Sequence, residues 1–241
     1  MKLQILCLAS SWLIAAALAG DSGTAARQTA FASKPLGIRC SVKMVGPYQQ
    51  AGDLQIICLS KHRNTGDIYQ GAARETDERL GGILSALRNR GEFTGELGET
   101  LSFVPPKNAL PAKRFMIIGL GAEENLSLDS LRLVGRVAAR EAVRLRARHI
   151  AWAPVIRDEG NATLDVGAGD RAFIEQLLLA YDTEKRLQGQ GLAARFSIEE
   201  VVVEAGPAYF DSAVKQVGEG IVSTLAELNN RESAPYTSIR K

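Results

Sequence analysis

Residues 54–59 read LQIICL and residues 115–120 read FMIIGL. Both runs place apolar side chains on both faces of an extended strand, which is typical of the central strands of a parallel sheet. On either side of these two runs, further strands are predicted at 38–45, 100–104, 149–153 and 198–203. Helices are predicted from Thr76 to about residue 90 and over approximately 127–148, 167–187 and 208–229. This alternation predicts the α/β class, as a single domain with a mixed, mostly parallel sheet flanked by helices.

The first predicted helix leads into a glycine-rich segment, and residues 76–101 read TDERLGGILSALRNRGEFTGELGETL. This segment resembles the amino-terminal domain of the cytosol-type leucyl aminopeptidases. The matching positions are Asp77, Gly81, Gly82, Leu84, Arg90, Gly91, Phe93, Gly95, Gly98 and Thr100. An apolar strand ending Gly-Leu-Gly at 119–121 and the segment Leu179-Ala180-Tyr181 with Lys185 follow in the family's order. The resemblance implies a macro-like fold over residues 37–230, with a flexible tail at 231–241.

Members of that family continue into a catalytic domain that binds two metal ions. Its Asn-Thr-Asp-Ala-Glu-Gly-Arg motif does not occur in these 241 residues. We therefore expect no catalytic residue, metal site or cofactor in the chain, and no peptidase activity from it alone.

The amino terminus has the pattern of a secretory signal peptide over residues 1–19. Lys2 precedes a mostly apolar run, and Ala17-Leu18-Ala19 is a small-x-small cleavage site. An uncleaved anchor is the alternative, although the apolar run is short for a membrane span. We predict a secreted or periplasmic protein that is not held in a membrane after cleavage, with a flexible leader at 20–36.

The charge is close to balanced, with 29 Lys and Arg, 27 Asp and Glu, and a formal net charge of +2. Such a balance provides no general attraction to nucleic acid or to an anionic membrane. The predicted helix at 127–148 does carry a stripe of arginines, Arg132, Arg136, Arg140, Arg144 and Arg148. A solvated basic face and an acidic partner are both compatible with the stripe; no nucleic acid is expected for an exported protein.

Two cysteines follow the signal peptide, Cys40 and Cys58. If the two predicted strands that carry them formed a hairpin about residues 46–53, the two side chains would lie opposite one another. An exported compartment permits a disulfide there. The alternative is two buried, reduced side chains.

Polar residues follow the first central strand, in the loop Ser60 to Asp67. Because ligands bind at the carboxyl ends of strands in α/β sheets, His62, Asn64 and Asp67 are candidate ligand-binding residues. Gly119 and Gly121 follow the next central strand and could offer backbone amides to a phosphate group. An ordinary polar loop and a simple strand-to-helix turn are the alternatives.

The last predicted helix carries apolar side chains at near-heptad spacing, Phe210, Val214, Val217, Ile221, Leu225 and Leu228. This face either packs on the domain's own core or offers a seam to a second copy or to an aminopeptidase partner. The leading functional hypothesis is an exported, non-catalytic binding or assembly module. A pocket for an ADP-ribose-like or other phosphorylated molecule and an accessory subunit of a separate aminopeptidase are the alternatives.

Overall fold

A computed structural model describes residues 26–63, 66–231, 234 and 236. The predicted signal peptide lies outside the described residues, as does most of the predicted tail. Over the described residues the chain forms one seven-stranded sheet and five α-helices. None of these helices combines the length and the apolar character that a membrane crossing requires.

The sheet is mixed and mostly parallel, as predicted. Its strands are β1 Gln28–Ala30, β2 Arg39–Lys43, β3 Leu54–Leu59, β4 Thr100–Phe103, β5 Phe115–Gly119, β6 His149–Ala153 and β7 Glu200–Glu204. They lie in the order β1-β2-β7-β6-β3-β5-β4. The five inner strands pair in parallel, and β1 and β4 pair antiparallel to their neighbours at the two edges.

Helices cover both faces of the sheet. They are α1 Gly71–Arg79, α2 Ile83–Asn89, α3 Leu128–Leu145, α4 Val166–Gly189 and α5 Phe210–Asn230. Alternate residues of β3 belong to different cores, because Ile56 and Cys58 pack with α3, α4 and α5 whereas Ile57 and Leu59 pack with α1 and α2. In the larger core, Trp152 stacks on Phe173 with ring centroids 3.9 Å apart.

The apolar face of α5 packs on the domain's own core, which is one of the two alternatives that the sequence leaves open. Phe210, Val217 and Ile221 are buried, and Val214 and Leu225 pack against the same core. Leu228 is half-buried and lies outside that core, and a second copy or an aminopeptidase partner on α5 stays a prediction.

Of the two alternatives for the cysteines, the structure has the buried, reduced pair and not the possible disulfide. Cys40 on β2 and Cys58 on β3 are both free and buried, and β7 and β6 lie between their strands. Three strand spacings of about 4.8 Å separate β2 from β3, roughly twice the 7 Å limit for bridged Cα atoms. The segment between β2 and β3 is a crossing connection rather than a hairpin turn, and burial raises the pKa of the Cys40 thiol to about 12.

The helix predicted from Thr76 to residue 90 is two helices. Gly81 and Gly82 adopt φ values of 70° and 81°, in the left-handed region, and they separate α1 from α2. Asp77 then caps the second helix, since its Oδ1 accepts the amide of Leu84 at 2.8 Å. The two glycines thus turn the chain. Because they do not lie inside a continuous helix, they do not destabilise one.

The predicted leader also contains a structured part. Residues 28–30 form β1, paired with residues 41–43 of β2, and a 3-10 turn spans Pro35–Gly37. Arg27 lies over the ring of Phe210, 4.5 Å from its centroid, which ties this segment to α5.

Candidate functional site

The carboxyl ends of the five parallel strands lie on the same side of the domain. The loops that follow these strands form two distinct regions there. The loop after β3 contains the polar residues singled out in the sequence. The loops after β2, β7 and β6 enclose an open cleft. Ligands of open α/β sheets bind at this edge.

The loop after β3 brings two of the predicted site residues together. Nδ1 of His62 lies 3.2 Å from Oδ2 of Asp67. Arg88 on α2 donates to both carboxylate oxygens of Asp67, from Nε at 2.6 Å and from Nη2 at 3.1 Å. Only 1% of the Arg88 side chain is exposed, and its hydrogen bonds and charge outweigh burial in lowering the pKa of Asp67. Asn64 lies outside the described residues.

Glu159 closes the space between the ends of β3 and β6. It is the last residue of the 3-10 turn Ile156–Glu159, and its carboxylate accepts the amide of Ser60 at 2.9 Å and the Ser60 hydroxyl at 3.1 Å. Burial raises the pKa of Glu159 to about 7. Hydrogen bonds of Glu159 and Arg88 therefore tie the start of the polar loop to the turn after β6 and to α2.

The backbone amides of Gly119 and Gly121 are not free to bind a phosphate group, so that hypothesis is wrong. The amide of Gly119 donates to the carbonyl of Glu99 at 2.8 Å, and that of Gly121 donates to the carbonyl of Gly95 at 2.9 Å. A Cβ on Gly119 would lie 2.0 Å from the carbonyl oxygen of Glu96. The two glycines therefore serve close packing of the 95–99 segment against β5, and their donors are already bonded.

The cleft after β2, β7 and β6 has a volume of about 460 Å³. Its walls are mainly apolar and aromatic, and they come from the turn after each of the three strands, the first turn of α1 and the start of α4. Tyr48, Pro154, Val155, Pro207 and Tyr209 are among the lining residues. A concave, mostly apolar site of this size at the ends of parallel strands is the usual form of a small-molecule pocket.

One lining residue has an unusual backbone. Val155 adopts φ 39° and ψ 15°, in the left-handed region. That conformation is a genuine outlier for a β-branched residue and costs of the order of 1–3 kcal/mol. Strained residues persist where the surrounding structure holds them, and they cluster at ligand sites.

Three of the described residues that line the cleft are charged, and two of them are acids. Burial raises the pKa of Glu204 to about 8, although Gln55 donates to its carboxyl group at 2.9 Å. Burial also raises the pKa of Asp158. The guanidinium of Arg157 is engaged by the carbonyl oxygens of Asn161 and Leu164, at 2.6 and 2.7 Å. The cleft therefore offers carboxyl groups, while its one cation is committed to the protein.

The cleft was not predicted, because the polar and glycine residues singled out in the sequence follow only β3 and β5. A usable signal was nevertheless present. β2 is followed by Gly46-Pro47-Tyr48 and β7 by Gly206-Pro207-Ala208-Tyr209, so two neighbouring parallel strands each end in Gly-Pro with a tyrosine close behind. Gly-Pro pairs mark turns, and tyrosines at a strand end provide contact surface.

Neither a metal cluster nor a free basic stripe is found in the described part of the chain. It contains no group of three or more His, Cys, Asp or Glu side chains arranged to hold a metal ion. Each arginine of the α3 stripe and of the turn that follows has a polar partner. These pairs are Arg132–Asp129, Arg136–Gln176, Arg140–Glu184, Arg144–Glu141 and Arg148–Glu199.

Comparison with known proteins identifies the family. The model of the amino-terminal domain of the cytosol aminopeptidase family matches residues 64–188, more than half of the chain. The chain belongs to the cytosol aminopeptidase family. The expected resemblance is thereby confirmed, and the match is to the amino-terminal domain of the family.

Curated relatives of this family member are longer than the chain. A probable cytosol aminopeptidase of Thermosynechococcus vestitus is 30% identical over 167 residues, which cover 68% of this chain and 32% of the relative. One of Alkaliphilus metalliredigens is 37% identical over 103 residues, or 42% of this chain and 20% of the relative. The aligned part is thus about a third or less of the length of these relatives.

Solved structures confirm the macro-like fold. A mutant of tomato leucine aminopeptidase matches with a TM-score of 0.58 and 19% identity, over 79% of this chain and 37% of that one. The Oceanobacillus iheyensis macrodomain with ADP also matches with a TM-score of 0.58, at 10% identity, over 84% of this chain and 99% of that one. At these identities the likeness concerns the fold alone.

Proposed function

We propose that this domain is a ligand-binding module that binds a small molecule in the cleft at the ends of β2, β7 and β6. The observation that supports the proposal is the open, mainly apolar cleft itself, at the edge of the sheet where α/β domains bind ligands. The loop after β3, by contrast, is closed by the contacts of Glu159 and Arg88.

The lining of the cleft favours a ligand with a flat or apolar body and hydrogen-bonding groups at its edge. Tyrosine and proline side chains provide flat contact surfaces. Asp158 and the largely protonated Glu204 offer oxygen atoms to donor groups on the ligand. Because Arg157 is engaged elsewhere, a phosphate group gains no free cation from the cleft lining.

An ADP-ribose-like or other phosphorylated ligand is the second candidate. The likeness in fold to a macrodomain with ADP supports it. The two candidates differ in how much a phosphate group on the ligand contributes to binding affinity. A pocket that recognises a flat ring binds adenosine as well as it binds ADP, whereas a phosphate pocket prefers ADP and ADP-ribose by a wide margin.

Calorimetry with a blocked variant separates these candidates. Ala72 is a partly exposed residue of α1 that lines the cleft, so Ala72→Phe fills the cleft from a helix surface. Ala226→Phe, on the exposed side of α5, is the matched control. We expect adenosine to bind the wild type and Ala226→Phe equally and Ala72→Phe at least tenfold more weakly.

ADP should bind no more tightly than adenosine in the same titrations. A tenfold or greater preference for ADP or ADP-ribose would support the phosphorylated-ligand candidate instead. Absence of heat with all three compounds at millimolar concentration would reject the nucleotide-like ligands of both candidates.

We propose further that the domain acts without peptidase catalysis. The family match supports this role, because it concerns the amino-terminal domain rather than the catalytic one. Leucyl-anilide hydrolysis by the purified chain with zinc or manganese should stay at the buffer rate. Turnover that persists after contaminating peptidases are removed would refute the proposal.

Export remains a proposal as well, based on the pattern of residues 1–19. Mass spectrometry of the protein from culture and periplasmic fractions should find a chain that starts at Gly20. An intact amino terminus in the cytoplasmic fraction alone would refute export.

A further inference from the structure

A second concave region lies at the opposite, amino-terminal ends of the parallel strands, where β6 and β7 begin. It has a volume of about 440 Å³ and is lined by Arg148, Lys185, Gln188, Gly189, Arg195, Phe196 and Ser197. We call this set the basic pocket. Arg148 precedes β6, Lys185 lies in the last turns of α4, and residues 195–197 lead into β7.

Phe196 is the buried aromatic residue of the basic pocket, and four cations either line the pocket or lie over the Phe196 ring. Arg148, Lys185 and Arg195 line the pocket. Arg146 and Arg148 place their guanidinium carbons 5.4 and 5.9 Å from the centroid of the Phe196 ring. Within the described residues, the only carboxylate in ion-pair contact with these four cations is that of Glu199, which pairs with Arg148. The basic pocket therefore carries a local excess of positive charge in a chain that is nearly neutral overall.

Within the described residues, the ammonium group of Lys185 has only long contacts with neutral oxygens. Its Nζ lies 3.3 Å from the carbonyl oxygen of Phe196, 3.4 Å from Oε1 of Gln188 and 3.5 Å from Oγ of Ser197. Charge-assisted hydrogen bonds to an anion are normally 2.7–2.9 Å long. An oxyanion in the pocket would therefore give Lys185 shorter and stronger bonds than it now makes.

Gln188 supplies a neutral donor that has no partner among the described residues. Only 4% of this residue is exposed, and its Oε1 accepts the amide of Phe196 at 3.0 Å. That bond fixes the orientation of the side-chain amide, and Nε2 is left buried without a hydrogen-bond partner in the part of the chain that the structure describes. A buried donor costs free energy unless it is paired, so each such group in a folded protein calls for an explanation.

We propose that the basic pocket is a binding site for a small phosphate-bearing molecule, held by Lys185, Arg195 and Nε2 of Gln188. The combination of several cations with a buried, fixed N–H donor is the chemistry that recognises a multiply charged oxyanion. The site lies at the amino-terminal edge of the parallel strands, opposite the cleft, and is independent of the function proposed for the cleft.

Thermal unfolding at constant ionic strength tests the site, with inorganic phosphate, glycerol phosphate and sodium chloride as probes. A ligand that binds only the folded state raises the unfolding temperature in a saturable way. We expect phosphate or glycerol phosphate to do so and chloride not to. The better of the two probes shows whether the natural source is a free phosphate or a phosphate ester.

Two variants and one control locate the effect. Gln188→Glu keeps the acceptor for the Phe196 amide and replaces the free donor by an acid, so it should abolish the phosphate effect. Arg195→Gln removes an exposed cation and should weaken phosphate binding about three- to tenfold. Arg144→Gln, whose arginine pairs with Glu141 outside the pocket, should bind as the wild type does.

The proposal is overturned if phosphate acts no differently from chloride at equal ionic strength. It is also overturned if the effect survives in both Gln188→Glu and Arg195→Gln, or if Arg144→Gln loses it to the same extent. Should Gln188→Glu fail to fold, the comparison of Arg195→Gln with Arg144→Gln decides the outcome.

Discussion

At the scale of single residues, the interior contains carboxyl groups that burial keeps protonated at neutral pH. Asp170, near the start of α4, accepts a hydrogen bond from Nε1 of Trp152 at 3.3 Å, and burial raises its pKa to about 8. Glu204 reaches about 8 for the same reason. A protonated carboxyl in an apolar site avoids the large cost of a buried charge.

Asp170 should make the fold less stable as pH rises. Its pKa is about 8 in the folded state and about 3.9 in an unfolded chain. Between these values the folded state binds more protons, so the free energy of unfolding falls with pH, by at most about 1.4 kcal/mol per pH unit for this group. Asp170→Asn cannot titrate and should lose that part of the decline.

Denaturant unfolding of both proteins from pH 5 to pH 8 measures the difference. The stability of Asp170→Asn relative to the wild type should grow with pH. Asp129→Asn, at an exposed ion pair with Arg132, should keep the wild-type slope. Parallel pH profiles for Asp170→Asn and the wild type would contradict the assignment of a buried, protonated Asp170.

Residue patterns located the polar loop after β3 but not its tertiary partners. His62 and Asp67 lie close together in this loop, neither lines the cleft, and their role as ligand-binding residues stays a prediction. Arg88, which holds Asp67, was not predicted because it lies 21 positions away, on a helix whose course depends on the turn at Gly81-Gly82. The partners of the loop are set by tertiary packing, which local patterns do not encode.

At the scale of elements, α3 and α4 cross closely at a glycine. A Cβ on Gly135 of α3 would lie 2.3 Å from the carbonyl oxygen of Phe173 on α4. Backbone cannot move aside as a flexible side chain does. Gly169 on α4 provides a contrast, because a Cβ there would meet Leu131 at an ordinary 3.6 Å.

Alanine at these two helical glycines should have opposite effects. Gly135→Ala should separate α3 from α4 and destabilise the fold by several kcal/mol, in the range of other overpacked cores. Gly169→Ala should be neutral or stabilising by up to about 1 kcal/mol, because alanine favours helix. Thermal and denaturant unfolding compare the two variants. Equal effects of the two substitutions would show that α3 and α4 are not closely packed at Gly135.

Element boundaries followed from sequence where the pattern was strong. LQIICL and residues 149–153 are strands as predicted, and Ser127 caps α3. Predicting a single helix from Thr76 to residue 90 was wrong because its apolar spacing continues across Gly81-Gly82 while the backbone does not. The spacing reports which side chains are buried, and here two short helices bury them on the same core.

At the scale of the whole molecule, the order of the strands in the sheet determines where the cysteines and the cleft lie, and this order could not be predicted from sequence patterns. The chain from β2 to β3 crosses β7 and β6, which come much later in the sequence. Cys40 and Cys58 lie on strands that are consecutive in the chain but are not neighbours in the sheet. The cleft, in turn, forms from three turns that are distant in sequence. The family resemblance supplied the fold, but it did not indicate which strand ends remain open.

We propose the cleft after β2, β7 and β6 as the ligand site of this domain. The most direct test is to map backbone amide chemical shifts by NMR while adenosine is added to the wild type and to Ala72→Phe. If the ligand binds in the cleft, saturable shifts should be confined to residues 44–49, 153–158 and 204–209 in the wild type and should be lost in Ala72→Phe. Shifts centred instead on His62 and Asp67, or equal shifts in both proteins, would contradict it.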